Sequence, residues 1–207
     1  MRQPADEDAT GGLVGPGAPV QSDATTESAV EDAQMPEMGL EGKVAIVTGA
    51  GSRAPGIGNG RAAAILLARE GCKVALLDAT RELGDATKEM IDAEDGTSMV
   101  VACNVADQAS CAAALKAIVA SWGRVDILVN NVGIGGPMGN AVDLDADAWD
   151  AAMRVNVTSM MLMAKYAIPE MRKQGADAII NIASVDGLRG GNPSLFYSAS
   201  KGAVVNM

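Results

Sequence analysis

Short apolar runs alternate with longer helical patterns from Lys43 onward, and this alternation constrains the fold more than any other feature of the sequence. Each run is about one strand long and predominantly hydrophobic, without regular alternation of polar and apolar residues; the runs cover residues 43–48, 73–78, 97–102, 125–130 and 178–183. Hydrophobicity without such alternation is typical of strands buried on both faces, as in a parallel sheet. The intervening helical patterns, over residues 57–70, 81–93, 107–122 and 146–173, are long enough to form the crossovers that parallel neighbours require. The sequence therefore predicts an α/β domain with a doubly wound parallel sheet over residues 40–207.

Residues 1–39 have a different composition, and we expect them to form a disordered acidic tail. The first 42 residues contain nine acidic side chains and a single basic one, Arg2. The segment has no sustained apolar period, so its folding would bury too little surface to offset the loss of conformational entropy. Two interpretations of this tail stay open: a solvated extension, and a segment that docks to a partner.

Composition excludes several classes of protein. No apolar run approaches the roughly 18 to 20 residues of a membrane span, and no pattern of a secretory or transit peptide is present, so we expect a cytoplasmic protein without a membrane partner. The formal net charge of -10 disfavours nucleic acid as a partner, because phosphate binding needs a basic face. The chain has no histidine and three cysteines without a CxxC pair. Neither a metal site nor a disulfide framework is expected, and histidine-dependent nucleophilic catalysis is excluded.

A glycine-rich stretch follows the first predicted strand and precedes the first predicted helix. In such a turn the backbone can approach a pyrophosphate closely, and the helix N-terminus offers N–H groups to its oxygens. The carboxylate of Asp78 ends the second strand 20 residues after Gly58, where a dinucleotide presents its adenosine ribose. A flexible loop and an ordinary strand-end carboxylate are the alternatives. We predict a dinucleotide site that contains Thr48, Gly49, Gly51, Ser52, Gly56, Ile57, Gly58 and Asp78.

The position of Asp78 also bears on the choice of cofactor. A carboxylate accepts hydrogen bonds from ribose hydroxyls and repels a 2′-phosphate, so NAD is preferred to NADP. Arg53, in the same turn, is the opposing feature, because a guanidinium could pair with that phosphate.

Four polar side chains indicate acid–base chemistry without histidine. Tyr197 and Lys201 are four residues apart, which places a phenol and an ammonium on one side of a helix, and a nearby cation favours a phenolate. Ser184 follows the fifth strand at the edge where doubly wound sheets bind ligands, and its hydroxyl can donate to a carbonyl oxygen. Asn156 lies inside the helix predicted over residues 146–173, and asparagine is unfavourable in the interior of a helix. The alternatives are a plain amphipathic pair, a turn serine and an exposed helical asparagine.

These features occur in the order of a known family. Together they resemble the motifs of the short-chain dehydrogenase/reductase family over essentially all of residues 40–207; the pieces are Thr48-Gly49 with Gly56-Ile57-Gly58, Asn130-Asn131-Val132-Gly133, Asn156, Ser184 and Tyr197-Ser198-Ala199-Ser200-Lys201. The resemblance implies a Rossmann-like fold with a catalytic tetrad of Asn156, Ser184, Tyr197 and Lys201. It implies a helix distortion at Asn156 that holds a water between Lys201 and solvent. It also implies cofactor contacts from Asn104, Val105, Asn131, Val132, Gly133, Tyr197 and Lys201.

The chain departs from the family pattern in several places. Its glycine-rich turn has three additional residues, Arg53-Ala54-Pro55. Val132 replaces the usual alanine, and Asn104 stands where an aspartate often contacts adenine. The chain stops at Met207, six residues after Lys201, whereas the family continues with further strands and a substrate-binding region. We therefore expect a chain truncated at its carboxyl terminus, with a sheet that is incomplete there.

The resemblance implies an NAD(P)-dependent oxidoreductase, with NAD preferred, that interconverts a secondary alcohol and a ketone. The alternative is a non-catalytic nucleotide-binding module or an inactive fragment. The family forms homo-oligomers through the 146–173 helix and the helix begun by Tyr197, so either core or subunit packing is expected of Met153, Met160, Met161, Met163 and Met171. Small buried hydrophobic residues are expected at Cys72, Cys103 and Cys111.

Overall fold

The computed structural model describes residues 38–54, 56–175, 177–190 and 193–207, and the predicted tail over 1–39 falls outside them except for its last two residues. The strands are β1 (Val44–Thr48), β2 (Lys73–Asp78), β3 (Thr97–Ala102), β4 (Ile127–Asn130) and β5 (Ala178–Asn181). They pair in parallel in the order β3-β2-β1-β4-β5. The predicted doubly wound parallel sheet is confirmed.

The helices connect successive strands as the hydrophobic patterns predict. They are α1 (Asn59–Arg69), α2 (Arg81–Asp92), α3 (Gln108–Trp122), α4 (Ala146–Met153), α5 (Ser159–Met171) and α6 (Leu195–Val205). The uninterrupted helix expected over 146–173 is divided, because a π-helical turn (Arg154–Thr158) separates α4 from α5. This turn contains Asn156, so the helix distortion that the family resemblance implied is present.

Alternating side chains of the central strands enter two separate hydrophobic cores. On one face, Ile46 and Leu128 pack with residues of α3 and α5. On the other face, Val47 and Leu76 pack with residues of α1 and α2. Helices therefore cover both faces of the central sheet, which explains why these strands have no polar positions in alternation.

The edge strand β5 does not share this burial. The side chains of Ile179 and Ile180 are 39% and 42% exposed. The expectation of burial on both faces, which rested on continuous hydrophobicity, therefore fails for this strand within the described residues. In the described part of the chain, no helix is both long and apolar enough to cross a bilayer.

Candidate active site

A cleft of about 780 Å³ lies at the carboxyl ends of the parallel strands. Its walls come from the glycine-rich turn after β1, the ends of β2, β3 and β4, and the beginning of α6. The strand order reverses between β1 and β4, and doubly wound sheets bind ligands at such a reversal. The cleft is lined by most of the predicted cofactor residues, namely Gly49, Gly51, Ser52, Gly58, Asp78, Asn104, Val105, Asn131, Val132, Gly133, Tyr197 and Lys201.

Thr48 is a predicted cofactor residue that the structure places behind this surface. Its buried hydroxyl donates to the carbonyl of Val129 at 3.3 Å and accepts from the N–H of Asn131 at 3.0 Å. The Asn131 side chain donates in return to the carbonyls of Thr48 and Gly49, each at 3.0 Å. Thr48 therefore joins the turns that follow β1 and β4, and its predicted cofactor contact stays a prediction.

Gly56 and Ile57 also lie away from the cleft, and the Ile57 side chain is 61% exposed. Helix α1 begins beyond them, and a Cβ on Gly60 would lie only 2.1 Å from the carbonyl oxygen of Gly49. Gly60 is thus the residue that allows α1 to approach the turn, and sequence reasoning did not single it out. The sequence contains a GxG pattern at both 56–58 and 58–60, and only packing distinguishes the two. The additional residues of the turn are accordingly 53–57 rather than 53–55.

Asp78 borders the cleft beside the glycine-rich turn. Its Oδ2 accepts from the N–H of Gly51 at 3.1 Å, and its Oδ1 accepts from the N–H of Thr80 at 3.0 Å. Arg53 lines the same cleft with an exposed side chain. A fixed carboxylate and a solvent-accessible guanidinium therefore both border this space.

Tyr197 and Lys201 lie one turn apart on α6, and both line the cleft. The Lys201 Nζ is 5.9 Å from the centroid of the Tyr197 ring and donates to the carbonyl of Ile182 at 2.7 Å. Lys201 is buried, and this burial lowers the pKa of its ammonium below the ordinary 10.5. The predicted juxtaposition of phenol and cation is therefore present, with the cation oriented by a backbone oxygen.

Asn156 does not line the cleft but is fully buried behind it. Its Oδ1 accepts from the N–H of Ile134 at 2.8 Å, and its Nδ2 donates to the carbonyl of Ile134 at 2.9 Å and to the Ser200 hydroxyl at 3.0 Å. One side chain thus joins the loop after β4 to α6, next to Lys201. The predicted alternative of an exposed helical asparagine is wrong.

Ser184 lies at the start of a 3-10 turn (Val185–Gly187) and is half-buried. Its hydroxyl oxygen accepts from the N–H of Asp186 at 3.2 Å, and its hydrogen can be donated to another group. Gly187 packs on the backbone of α6, where a Cβ would lie 2.5 Å from the carbonyl carbon of Lys201. This close approach fixes the 3-10 turn, and with it Ser184, beside the helix that carries Tyr197 and Lys201.

Ser194 is a positioning residue that sequence reasoning missed. Its hydroxyl accepts from the N–H of Tyr197 at 3.1 Å, which caps the N-terminus of α6, and donates to the carbonyl of Pro137 at 3.2 Å. It therefore ties the loop after β4 to the first turn of the tyrosine-bearing helix. A serine three residues before Tyr197 is an N-cap signal that the sequence did contain.

The cysteines are buried, as expected, but one of them borders the cleft. Cys103 follows β3 and lines the cleft beside Asn104. Interaction with the Cys111 thiol, opposed by burial, lowers the pKa of the Cys103 thiol below its ordinary value. The described residues contain no group of three or more His, Cys, Asp or Glu side chains that could hold a metal ion.

Comparison with known proteins extends over the same part of the chain. The family model described as short chain dehydrogenase matches residues 43–207. An oxidoreductase of Thermotoga maritima is 39% identical over 170 residues, with 82% of this chain and 64% of that protein covered. The D-threitol dehydrogenase of Mycolicibacterium smegmatis is 36% identical over 168 residues, with 81% and 62% covered. The chain thus spans a little under two thirds of the length of these relatives.

A solved structure shares the arrangement of the sheet and helices. The crystal structure of an NAD⁺-bound xylitol dehydrogenase superimposes with a TM-score of 0.75 at 31% identity. The superposition covers 81% of this chain and 63% of that chain. Fold and sequence therefore point to the same group of proteins.

Proposed function

Since this chain belongs to the short-chain dehydrogenase family, we propose that it is an NAD-dependent oxidoreductase that interconverts a secondary alcohol and a ketone. The observation that carries this proposal is a single cleft with Asp78 and the glycine-rich turn in one part of its wall and Tyr197 with Lys201 in another. The first group suits an adenosine ribose and a pyrophosphate. The second group suits proton transfer to or from an oxygen.

The residues of the cleft fit a dinucleotide. Gly51 lets the glycine-rich turn pack closely against Leu83, and Gly60 lets α1 pack closely against that turn, because a Cβ at either position would collide with neighbouring protein atoms. The N-terminus of α1 adds N–H groups that favour negative charge. The xylitol dehydrogenase structure, whose fold this chain shares, holds NAD⁺.

The reaction requires the alcohol to lose a proton from oxygen and a hydride from carbon. When bound, nicotinamide accepts that hydride. We assign Tyr197, as phenolate, the removal of the hydroxyl proton, and Ser184 a hydrogen bond to the same substrate oxygen. Lys201 supplies the cation that favours the phenolate and contacts the nicotinamide ribose. Asn156 holds the loop at Ile134 against α6. We assign it the role of maintaining the path by which a water would carry protons between Lys201 and solvent.

The substrate class follows from the same chemistry. A phenolate that accepts a proton and a serine hydroxyl that donates to oxygen suit the carbinol group of a small molecule. Two similar proteins are dehydrogenases of polyols by name, one of D-threitol and one of xylitol. We therefore propose a small-molecule alcohol as substrate and a homo-oligomer as the working assembly.

The preference for NAD over NADP is proposed from the two charges at the cleft. A carboxylate held by two backbone N–H groups faces a 2′-phosphate of up to about two negative charges, a repulsion of several kcal/mol when partly desolvated. The exposed Arg53 would offset this by only about 0 to 1 kcal/mol, as surface pairs typically do. The net expectation is at least a tenfold preference, about 1.4 kcal/mol.

Measurement of kcat/KM with both cofactors in the full-length protein tests this proposal. Asp78→Ser should lower the ratio of kcat/KM with NAD to kcat/KM with NADP, mainly by raising kcat/KM with NADP. Arg53→Ser is the matched control, and it should change the ratio of the two kcat/KM values by no more than about fivefold, because a surface pair contributes at most about 1 kcal/mol. Equal values for the two cofactors in the unmodified protein, or no change in Asp78→Ser, would contradict the assignment.

A further inference from the structure

Arg61 is a buried cation that the proposed reaction does not use. It is the third residue of α1 and only 9% exposed. Its Nε donates to the hydroxyl of Thr87 at 3.0 Å, and its Nη1 donates to the carbonyl of Gly56 at 2.9 Å. Both acceptors are neutral, and Arg61 forms no ion pair within the described part of the chain. Burial of an unpaired guanidinium is costly, so its retention calls for a reason.

Thr87, which accepts a hydrogen bond from Arg61, itself contacts the glycine-rich turn. Thr87 lies in α2 and is fully buried. Its hydroxyl donates to the carbonyl of Ala50 at 2.8 Å. Residues 49–58, which we name the extended turn, are therefore held at two points, at Ala50 through Thr87 and at Gly56 directly.

We propose that Arg61 and Thr87 form a clamp that fixes the extended turn in the shape that receives the cofactor pyrophosphate. In this proposal, which rests on the proposed function, both are positioning residues. Neither lines the cleft, so they act through the turn and not by contact with the cofactor. The residues added to this turn, 53–57, explain the need for a clamp, because a longer loop has more conformations to lose when it orders.

The charge of Arg61 adds a second contribution. The guanidinium lies in the first turn of α1, where the helix dipole already favours negative charge. It is compensated by no carboxylate among the described residues, so its field adds to that of the helix N-terminus. The clamp should consequently favour ligands that carry phosphate over those that do not.

The test compares the binding of NADH, followed by its fluorescence, with the binding of adenosine, followed by ligand NMR. Thr87→Val removes the hydroxyl and keeps the shape, while Thr87→Ser keeps the hydroxyl. Arg61→Met removes the charge and both hydrogen bonds, and Arg61→Lys keeps the charge. Arg69→Met is the matched control, because Arg69 is an exposed cation on the same helix that pairs with Glu94.

Arg61→Met should weaken NADH binding about tenfold, and Thr87→Val by several-fold, as expected for the loss of hydrogen bonds to a buried group. Thr87→Ser should bind as the unmodified chain does, and Arg61→Lys should be intermediate. Adenosine binding should change by less than about twofold in every variant, since adenosine has no phosphate. Losses that are equal for NADH and adenosine, or unchanged NADH binding in a folded Arg61→Met or Thr87→Val protein, would overturn the proposal.

Hydrogen exchange of the extended turn without ligand separates this proposal from the proposed function. Amides of residues 50–54 and 56–58 should exchange faster in Arg61→Met and Thr87→Val than in the unmodified chain or Arg69→Met. Unchanged exchange would overturn the clamp even if NADH binds. If the unmodified chain binds no NADH, the proposed function fails, and the exchange measurement alone then decides whether the clamp exists.

Discussion

Lys201 is a buried ammonium group that lies beside the phenol of Tyr197. Its Nζ is drawn under the surface by the carbonyl of Ile182, at 2.7 Å, and lies close to the Tyr197 ring. Burial disfavours the charged form of an amine, and the pKa of Lys201 is lowered accordingly. The folded protein therefore holds this proton less firmly than the unfolded chain does.

This difference predicts a pH dependence of stability. Between the lowered pKa of Lys201 and the ordinary 10.5 of the unfolded chain, the unfolded state binds more protons, so the stability contributed by this residue rises with pH. Below the lowered pKa its contribution is least and does not vary. Urea unfolding of the unmodified protein and Lys201→Met over a series of alkaline pH values measures this. The difference in unfolding free energy should move in favour of the unmodified protein as pH rises, and a constant or opposite difference would contradict the account.

At the residue scale, sequence identified side chains that line the cleft better than those that hold its walls in place. Tyr197, Lys201 and Asp78 were predicted because their spacing and their place in the element order have direct chemical meanings. Gly60 and Ser194 were missed, because a close helix approach and a loop contact depend on packing between distant segments. The hydrogen bond from the Thr48 hydroxyl to Val129 was missed for the same reason, since nothing local shows that this hydroxyl faces β4.

At the element scale, the π-helical turn between α4 and α5 is the feature that places Asn156. An extra residue in a helical turn rotates side chains relative to a regular helix, and such turns often occur at functional sites. Here the rotation is accompanied by three hydrogen bonds from Asn156, two to the backbone of Ile134 and one to Ser200. The turn thus couples the loop after β4 to α6.

Asn156→Ala should therefore reduce both stability and turnover. Loss of the Asn156 side chain leaves the N–H and carbonyl of Ile134 without their partner, which should lower the free energy of unfolding by about 1 to 3 kcal/mol. Turnover should fall because the loop no longer holds its place beside α6. Asn140→Ala is the control: it removes an asparagine from an exposed loop and should cost less than about 1 kcal/mol. Urea unfolding and kcat measure the two effects, and equal behaviour of the two variants would count against this role.

The number and order of the strands were predicted correctly from hydrophobic patterns, whereas the interruption of the fourth predicted helix was not. Strand bounds agree at seven of the ten ends and differ by one or two residues at the other three, because the buried apolar runs are short and sharply bounded. The division of the 146–173 helix could be expected only through the family resemblance, since the residues around Asn156 keep an apolar, helix-like spacing. The exposure of β5 could not be read from its composition, which equals that of a buried strand.

At the scale of the whole molecule, the methionines of α5 divide between core and surface. Met163 and Met171 are buried in the core that α5 forms with the sheet, and Met160 is also buried, whereas Met161 is 46% exposed. The exposed residues of α5 form one stripe at intervals of four, Met161, Lys165 and Pro169. We propose this stripe as part of a subunit interface.

Light scattering of the full-length protein on a sizing column tests the proposed assembly. The unmodified protein should be larger than a monomer, and Met161→Asp should dissociate because it would bury an unpaired charge. Met90→Asp is the matched control, since Met90 has comparable exposure, 39%, on the other side of the sheet in α2. A monomeric unmodified protein, or an unchanged mass in Met161→Asp, would contradict the proposal.

The central claim is that this cleft performs alcohol oxidation with Tyr197 as its acid–base group, and the rate of NADH formation over a panel of secondary alcohols tests it most directly. Tyr197→Phe should lower kcat by at least about 100-fold, as expected for loss of a general acid–base catalyst, with NADH binding retained. Tyr166→Phe is the control, because Tyr166 packs against the core away from the cleft and should keep its turnover. Equal turnover by Tyr197→Phe and the unmodified protein would contradict the account, and NADH binding with no turnover by the unmodified protein would indicate a nucleotide-binding module instead.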